Sequence, residues 1–130
     1  MVLPQNSDKL IYISLADWIE DSILSGIYPE DSQIPSVAEL SANFRINHIT
    51  ALRGISILTD LGIIYKKRGI GMFVARGAME KIRQRRRDDF YDKYIRSAVA
   101  EAKKLGLSED EMTELVKRGY GNDSENREHN

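Results

Sequence analysis

Ile11, Leu15, Ile19 and Ile23 recur every four residues, with Trp18 on the same apolar side, and this period predicts a helix over 8–25. Ser7 suits its N-cap and Gly26 its end. Residues 26–34 lose the period and hold Pro29, Glu30 and Asp31, so they read as a loop. Ser36 followed three residues on by Glu39 forms a capping box, in which hydroxyl and carboxylate each take a free backbone N–H; it opens a short helix over 36–43. Asn47 caps a third helix that runs to about residue 60. Its inner face is Ala51, Ile55 and Leu58, with Leu61 adjoining and Gly62 as the C-terminal glycine. Ile63-Ile64-Tyr65 and Met72-Phe73-Val74 are β-prone. Between them lies the basic turn Lys66-Lys67-Arg68-Gly69-Ile70-Gly71, so a hairpin with a positive tip is predicted.

Helical spacing returns over 77–104. Ile82 comes early; Phe90, Tyr94, Ala98 and Ala102 then recur every four residues, flanked by Tyr91, Ile95 and Val99. Leu105-Gly106-Leu107 reads as a helix stop, and Ser108 with Glu111 as a second capping box. A last short helix carries Met112, Leu115 and Val116, and residues 119–130 read as a frayed polar end. The expected fold is mainly α with a small β-hairpin: a winged helix-turn-helix domain over 1–76, a two-helix tail over 77–118 that pairs with a second copy, and a disordered end over 119–130.

Hydrophobic residues make up 42% of the 130, enough to bury a core. The absence of cysteine excludes disulfides, thiolate metal sites and cysteine nucleophiles. No apolar run is long enough to cross a bilayer, and the start lacks the layout of a signal peptide, so a cytoplasmic protein with no membrane partner is expected. Net charge is -1, but its distribution is uneven: residues 1–44 balance at -6, residues 45–87 at +9 and residues 88–130 at -4. A concentrated basic middle can present a positive face to phosphate. Gly69 and Gly71 do not extend to a nucleotide-binding pattern, since Val74 interrupts it. His48 has no second His or Cys nearby to share a metal. With no nucleophile elbow or phosphate loop either, no catalytic residue, cofactor or metal site is expected.

In a helix-turn-helix the second helix lies in the major groove and the first crosses the backbone. The residues placed to reach double-stranded DNA are Asn47, His48, Ile49, Thr50 and Arg53 at the start of the third helix, with Ser36 at the start of the second. In the wing they are Lys66, Lys67, Arg68, Gly69 and Gly71. Arg53 suits a guanine or a phosphate, and Ile49 suits a thymine methyl or the core. Thr50 suits a phosphate or the helix cap. The basic run Lys81 to Arg87 suits flanking DNA or acidic groups across a dimer. A winged helix used only as a protein-interaction module is the alternative, and it would need an apolar outer face on the third helix.

The stretch from Leu10 to Ala75 resembles the DNA-binding domain of the GntR family of bacterial transcription regulators. The resemblance rests on Ile11-Tyr12, Ile34-Pro35-Ser36-Val37-Ala38-Glu39-Leu40, Asn47-His48-Ile49-Thr50, Leu61-Gly62-Ile63-Ile64 and Gly69-Ile70-Gly71-Met72-Phe73-Val74, all in the family's order. The chain departs from the family at Ala38, where Arg is common, at Glu30, where Gly is common, and at Ala51, where Val is common. Only 55 residues follow Ala75, and their two helices resemble the tail of the YtrA-like subfamily. The resemblance implies a repressor acting as a homodimer on a palindromic operator. The dimer interface would be built from Phe90, Tyr91, Tyr94, Ile95, Ala98, Val99, Leu105, Met112, Leu115 and Val116. A stripe that such a tail cannot bury alone calls for a second copy. Any effector would be small or seated between subunits.

Overall fold

The computed structural model describes the backbone of residues 8–129 and the side chains of residues 11–121. In order, the elements are α1 (Asp8–Leu24), β1 (Gln33–Ile34), α2 (Val37–Phe44), α3 (His48–Asp60), β2 (Ile64–Lys67), β3 (Gly71–Val74), α4 (Ala78–Phe90), a π-helical turn (Tyr91–Ile95), α5 (Arg96–Lys104) and α6 (Glu109–His129). They form two compact units, Met1–Arg86 and Arg87–Asn130.

In the first unit the four-residue period of α1 buries Leu15, Ile19 and Ile23, with Ile11 half-buried at the margin. They pack on Leu40 and Phe44 of α2, on Ala51, Ile55 and Leu58 of α3, and on Ile63, Ile64 and Val74 of the sheet region. Trp18 stands edge-on to Phe44 at 4.9 Å between ring centroids. The core extends to Ala78 and Ile82, both fully buried, so the first turns of α4 pack with the three helices before them. Gly54 marks a close approach of α1 and α3: a Cβ there would stand 2.9 Å from the Tyr12 carbonyl oxygen and 3.1 Å from Leu15 Cδ2.

The local signals for helix ends hold. Ser36 and Glu39 make the reciprocal capping box, at 3.1 and 3.2 Å. Asn47 Oδ1 accepts from the Ile49 N–H at 2.7 Å. Gly62 follows α3 with φ +73°. The expected N-cap Ser7 lies outside the described residues. Leu61 departs from expectation: it is 41% exposed, because the chain has begun to turn at the end of α3 before Gly62.

The wing is a three-stranded antiparallel sheet of order β1-β3-β2, rather than a two-stranded hairpin. Gln33 and Ile34, expected in a loop, pair with Phe73 and Met72 on the far edge of β3. Lys66 and Lys67, expected in the turn, pair with Met72 and Gly71 and belong to β2.

In the second unit the π-helical turn interrupts what the spacing predicts as one continuous α-helix; there the Arg96 N–H donates to the Tyr91 carbonyl, five residues back. Gly106, at φ +73°, ends α5, and the Leu107 N–H donates to the Ala102 carbonyl at 2.9 Å. Ser108 and Glu111 then form the second capping box, both bonds at 3.1 Å. The short helix and frayed end expected after it are instead one helix reaching His129. Gly119 and Gly121 lie inside it, each tolerated at about 1 kcal/mol relative to Ala.

Candidate nucleic-acid interface

The inner face of α3 is Ala51, Gly54, Ile55 and Leu58. The opposite face follows from the helical period and carries Ile49, Arg53, Ser56 and Asp60, all exposed. Asn47 and His48 are exposed at the helix start, and Thr50 is half-buried on its flank. The Asn47 side-chain oxygen Oδ1 is engaged in its cap. Ile49 is 62% exposed, which takes it out of the core and leaves it on the outer stripe.

The wing splits its cations. Lys66 lines a cleft of about 570 Å³ shared with Ser36 and Ala38 of the α2 N-terminal segment and with Leu52 and Ser56 of α3. Lys67 points to the other face of the sheet, where its ammonium lies 4.3 Å from the Phe73 ring centroid and 5.9 Å from that of Tyr65. The two rings stack at 5.9 Å. The pleat therefore separates two lysines that look like one cluster in sequence. Arg68 is exposed in the turn between the strands.

Two glycines fix the tip. Gly69 has φ +76° and Gly71 φ +146°, both in the region that favours glycine. A Cβ on Gly71 would collide with Gln33 Nε2, and that amide donates to the Ile70 carbonyl at 3.1 Å. Gln33 thus ties β1 to the wing turn. Sequence reasoning missed Gln33, Leu52 and Ile70. Leu52 was detectable as an apolar residue off the inner stripe of α3, and Ile70 as an apolar residue between two glycines in a basic turn.

Several cations of the basic middle are paired with carboxylates of the acidic first segment. Arg85 and Arg86 both donate to Glu20, whose side chain is 2% exposed, and Arg86 also donates to Asp21 at 2.7 Å. Burial opposes the Arg86 charge, but its bonds to Asp21 and Glu20 more than offset this and raise its pKa above the ordinary value. Sequence left these arginines between flanking DNA and a partner subunit; both instead engage their own chain's α1. Arg76 pairs with Asp31 at 3.1 Å, and Lys81 reaches the Gly62 carbonyl at 3.4 Å. Glu30, at a position where the family often has Gly, accepts from the N–H groups of Gly77 at 2.9 Å and Met79 at 3.1 Å and so caps α4. Those bonds hold its pKa below the usual carboxylate value. Arg45, Arg53, Lys66, Arg68 and Arg83 are exposed and make no ion pair among the described residues. Three of these five belong to α3 and the wing.

A helix-turn-helix whose second helix exposes a mixed polar stripe beside a cationic wing defines a DNA-binding transcription regulator. The chain belongs to the gntR family of bacterial regulatory proteins, whose pattern matches residues 11–74. It is 32% identical over 111 residues to the HTH-type transcriptional regulator YhcF of Bacillus subtilis, covering 85% of this chain and 90% of that protein. The fold matches a GntR-family regulator from Bacteroides thetaiotaomicron at 35% identity and TM-score 0.71, over 87% of this chain and 98% of that one. It also matches the DNA-binding domain of AraR in complex with operator ORX1 at 29% identity and TM-score 0.53, over 58% of this chain and 95% of that one. The histidine utilization repressor of Klebsiella aerogenes matches at 35% identity over 72 residues, 55% of this chain and 30% of that longer protein. Among the described residues no helix is long and apolar enough to cross a membrane.

Proposed function

We propose that the chain is a sequence-specific repressor of the YtrA-like kind, which binds a roughly palindromic operator as a homodimer. The observation that carries this reading is the exposed stripe of α3 beside a wing whose cations are not spent on ion pairs within the described residues. In this reading Asn47, His48, Ile49, Thr50 and Arg53 face base edges and the nearest phosphates, and Ser36 stands over the backbone. Lys66, Lys67 and Arg68 grip phosphates, and Gly69 and Gly71 let the wing backbone approach closely. The second unit supports the dimer. Phe90, Tyr91, Tyr94 and Val99 are each more than 40% exposed in the single chain, and Leu105 and Val116 more than 50%. Ile95, Ala98 and Leu115 are exposed beside them, and Met112 half-exposed. Covering such a face needs a second copy, and two-fold pairing presents two α3 helices to two half-sites.

The test is fluorescence anisotropy against a duplex enriched from a random-sequence library, a scrambled duplex of equal composition, and a series of salt concentrations. Expected are affinity about a thousandfold or more above the scrambled duplex and a steep loss with salt from counterion release. Arg53→Ala should cost about 1–3 kcal/mol and relax selectivity at one base position. Equal binding to both duplexes, or binding insensitive to salt, refutes the reading. Sedimentation equilibrium should give twice the chain mass, and Tyr94→Glu should give monomers.

A further inference from the structure

Ile49 is 62% exposed on the outer stripe of α3, and Leu52, three residues on, is 47% exposed. Neither residue belongs to the hydrophobic core. Ile49 is absent from the core cluster, and its β-branched side chain adds nothing to helix propensity on an exposed face. The two stand among polar neighbours, Asn47, His48, Arg53 and Ser56, all exposed. On α3 itself that surround leaves a short apolar patch, whose Leu52 also borders the cleft shared with Ile70 and Met72. Ala38, exposed in the first turn of α2, adds a third small apolar surface and offers no donor to a base.

The patch lies on the helix that the proposed function puts in the major groove, and this inference rests on that reading. The one apolar feature a base pair presents in the major groove is the C5-methyl group of thymine. We propose that Ile49 and Leu52 read thymine methyl groups, so that the operator carries thymines where the first two turns of α3 face it. Arg53, on the same stripe one turn beyond Ile49, then supplies a polar contact beside these methyl readings. Selectivity on this face comes more from shape and methyl contact than from bidentate hydrogen bonding.

The test separates a methyl from everything else about a base. A duplex enriched from a random-sequence library is resynthesised with each thymidine replaced, one at a time, by deoxyuridine, which keeps the pairing and removes only the methyl. Anisotropy titrations are run with the wild-type chain, Ile49→Ala and Leu52→Ala; both residues are largely exposed, so both variants should fold, which circular dichroism checks. Wild type should bind about fourfold more weakly for each contacted methyl removed, the worth of one buried methylene-sized group. Ile49→Ala should lose the thymidine-to-deoxyuridine difference at one position, and Leu52→Ala at another. Wild-type affinity unchanged by every replacement, or discrimination retained in both variants, overturns the inference while leaving sequence-specific binding intact. Failure to enrich any sequence overturns the proposed function itself, and this inference with it.

Discussion

Replacing Glu20 by Ala removes a carboxylate that is 2% exposed and receives both Arg85 and Arg86. Arg85 then loses its carboxylate partner, while Arg86 keeps Asp21 at 2.7 Å. Breaking a fully buried pair by deleting one partner costs about 3–5 kcal/mol, because a charge is left buried and uncompensated. Here the two arginine side chains are 33% and 37% exposed, so water can rehydrate them in part. The expected loss is therefore about 2 kcal/mol, placed between the buried value and the ~1 kcal/mol ceiling of surface pairs. Trp18 is the only tryptophan, lies on the same helix and packs against Phe44, so its fluorescence reports the folding of the first unit. With a urea dependence of about 1 kcal/mol per molar, the midpoint should fall by about 2 M. Asp21→Ala serves as the comparison: that side chain is 66% exposed, and its loss should move the midpoint by about 0.5 M or less. Added salt should shrink the Asp21 effect and leave most of the Glu20 effect. If the two variants shift the midpoint equally and slightly, the Glu20 carboxylate does not hold α4 against α1.

Three further outcomes follow from the same structure. Gly54→Ala gains about 1 kcal/mol of helix propensity but places a methyl 2.9 Å from a backbone oxygen; with overpacking at about 1–3 kcal/mol, a net loss near 1 kcal/mol is expected in thermal melts, and a stabilised variant would contradict the close approach of α1 and α3. Glu30 has its pKa lowered by the N–H groups of Gly77 and Met79, so its contribution is fully present above the unfolded carboxylate value and is lost as pH falls through the lower folded one. The stability gap between wild type and Glu30→Gln should therefore be widest near neutrality and close below about pH 4.3; a gap that widens on acidification has the wrong sign. Alanine at Lys66, Lys67 and Arg68 together should flatten the logarithmic salt dependence of DNA binding by up to about 2.7, at ~0.9 per phosphate contact, and an unchanged slope would remove the wing from the interface.

What the sequence reveals and what it hides divide by range. Ser36 with Glu39, Asn47, Gly62 and Gly106 act on backbone groups within a few residues, and each helix end they mark is where the spacing puts it. The interactions that escape are distant in the chain. Glu30 caps a helix 47 residues downstream, and Glu20 meets Arg85 across 65 residues, so nothing in either neighbourhood announces the contact. β1 is two residues long, too short to show a strand period, and forms because Gln33 and Ile34 find the free edge of β3. On the interface, the outer residues of α3 were legible because exposure follows from helix phase once the core stripe is known. The opposite facing of Lys66 and Lys67 required the strand to be known to reach Lys67.

The π-helical turn at Tyr91–Ile95 bears on how this chain can change length. Such a turn holds one residue more than an α-helix needs to span the same rise. A single insertion or deletion in an ordinary helix rotates everything beyond it by about 100° and scrambles which side chains share a face. Here the surplus is absorbed within five residues, so removing Asp92 or Lys93 should restore plain α-helix while the stripes on either side keep their phase. The aromatic segment is thus a place where this chain can lose a residue without redrawing the surface that follows.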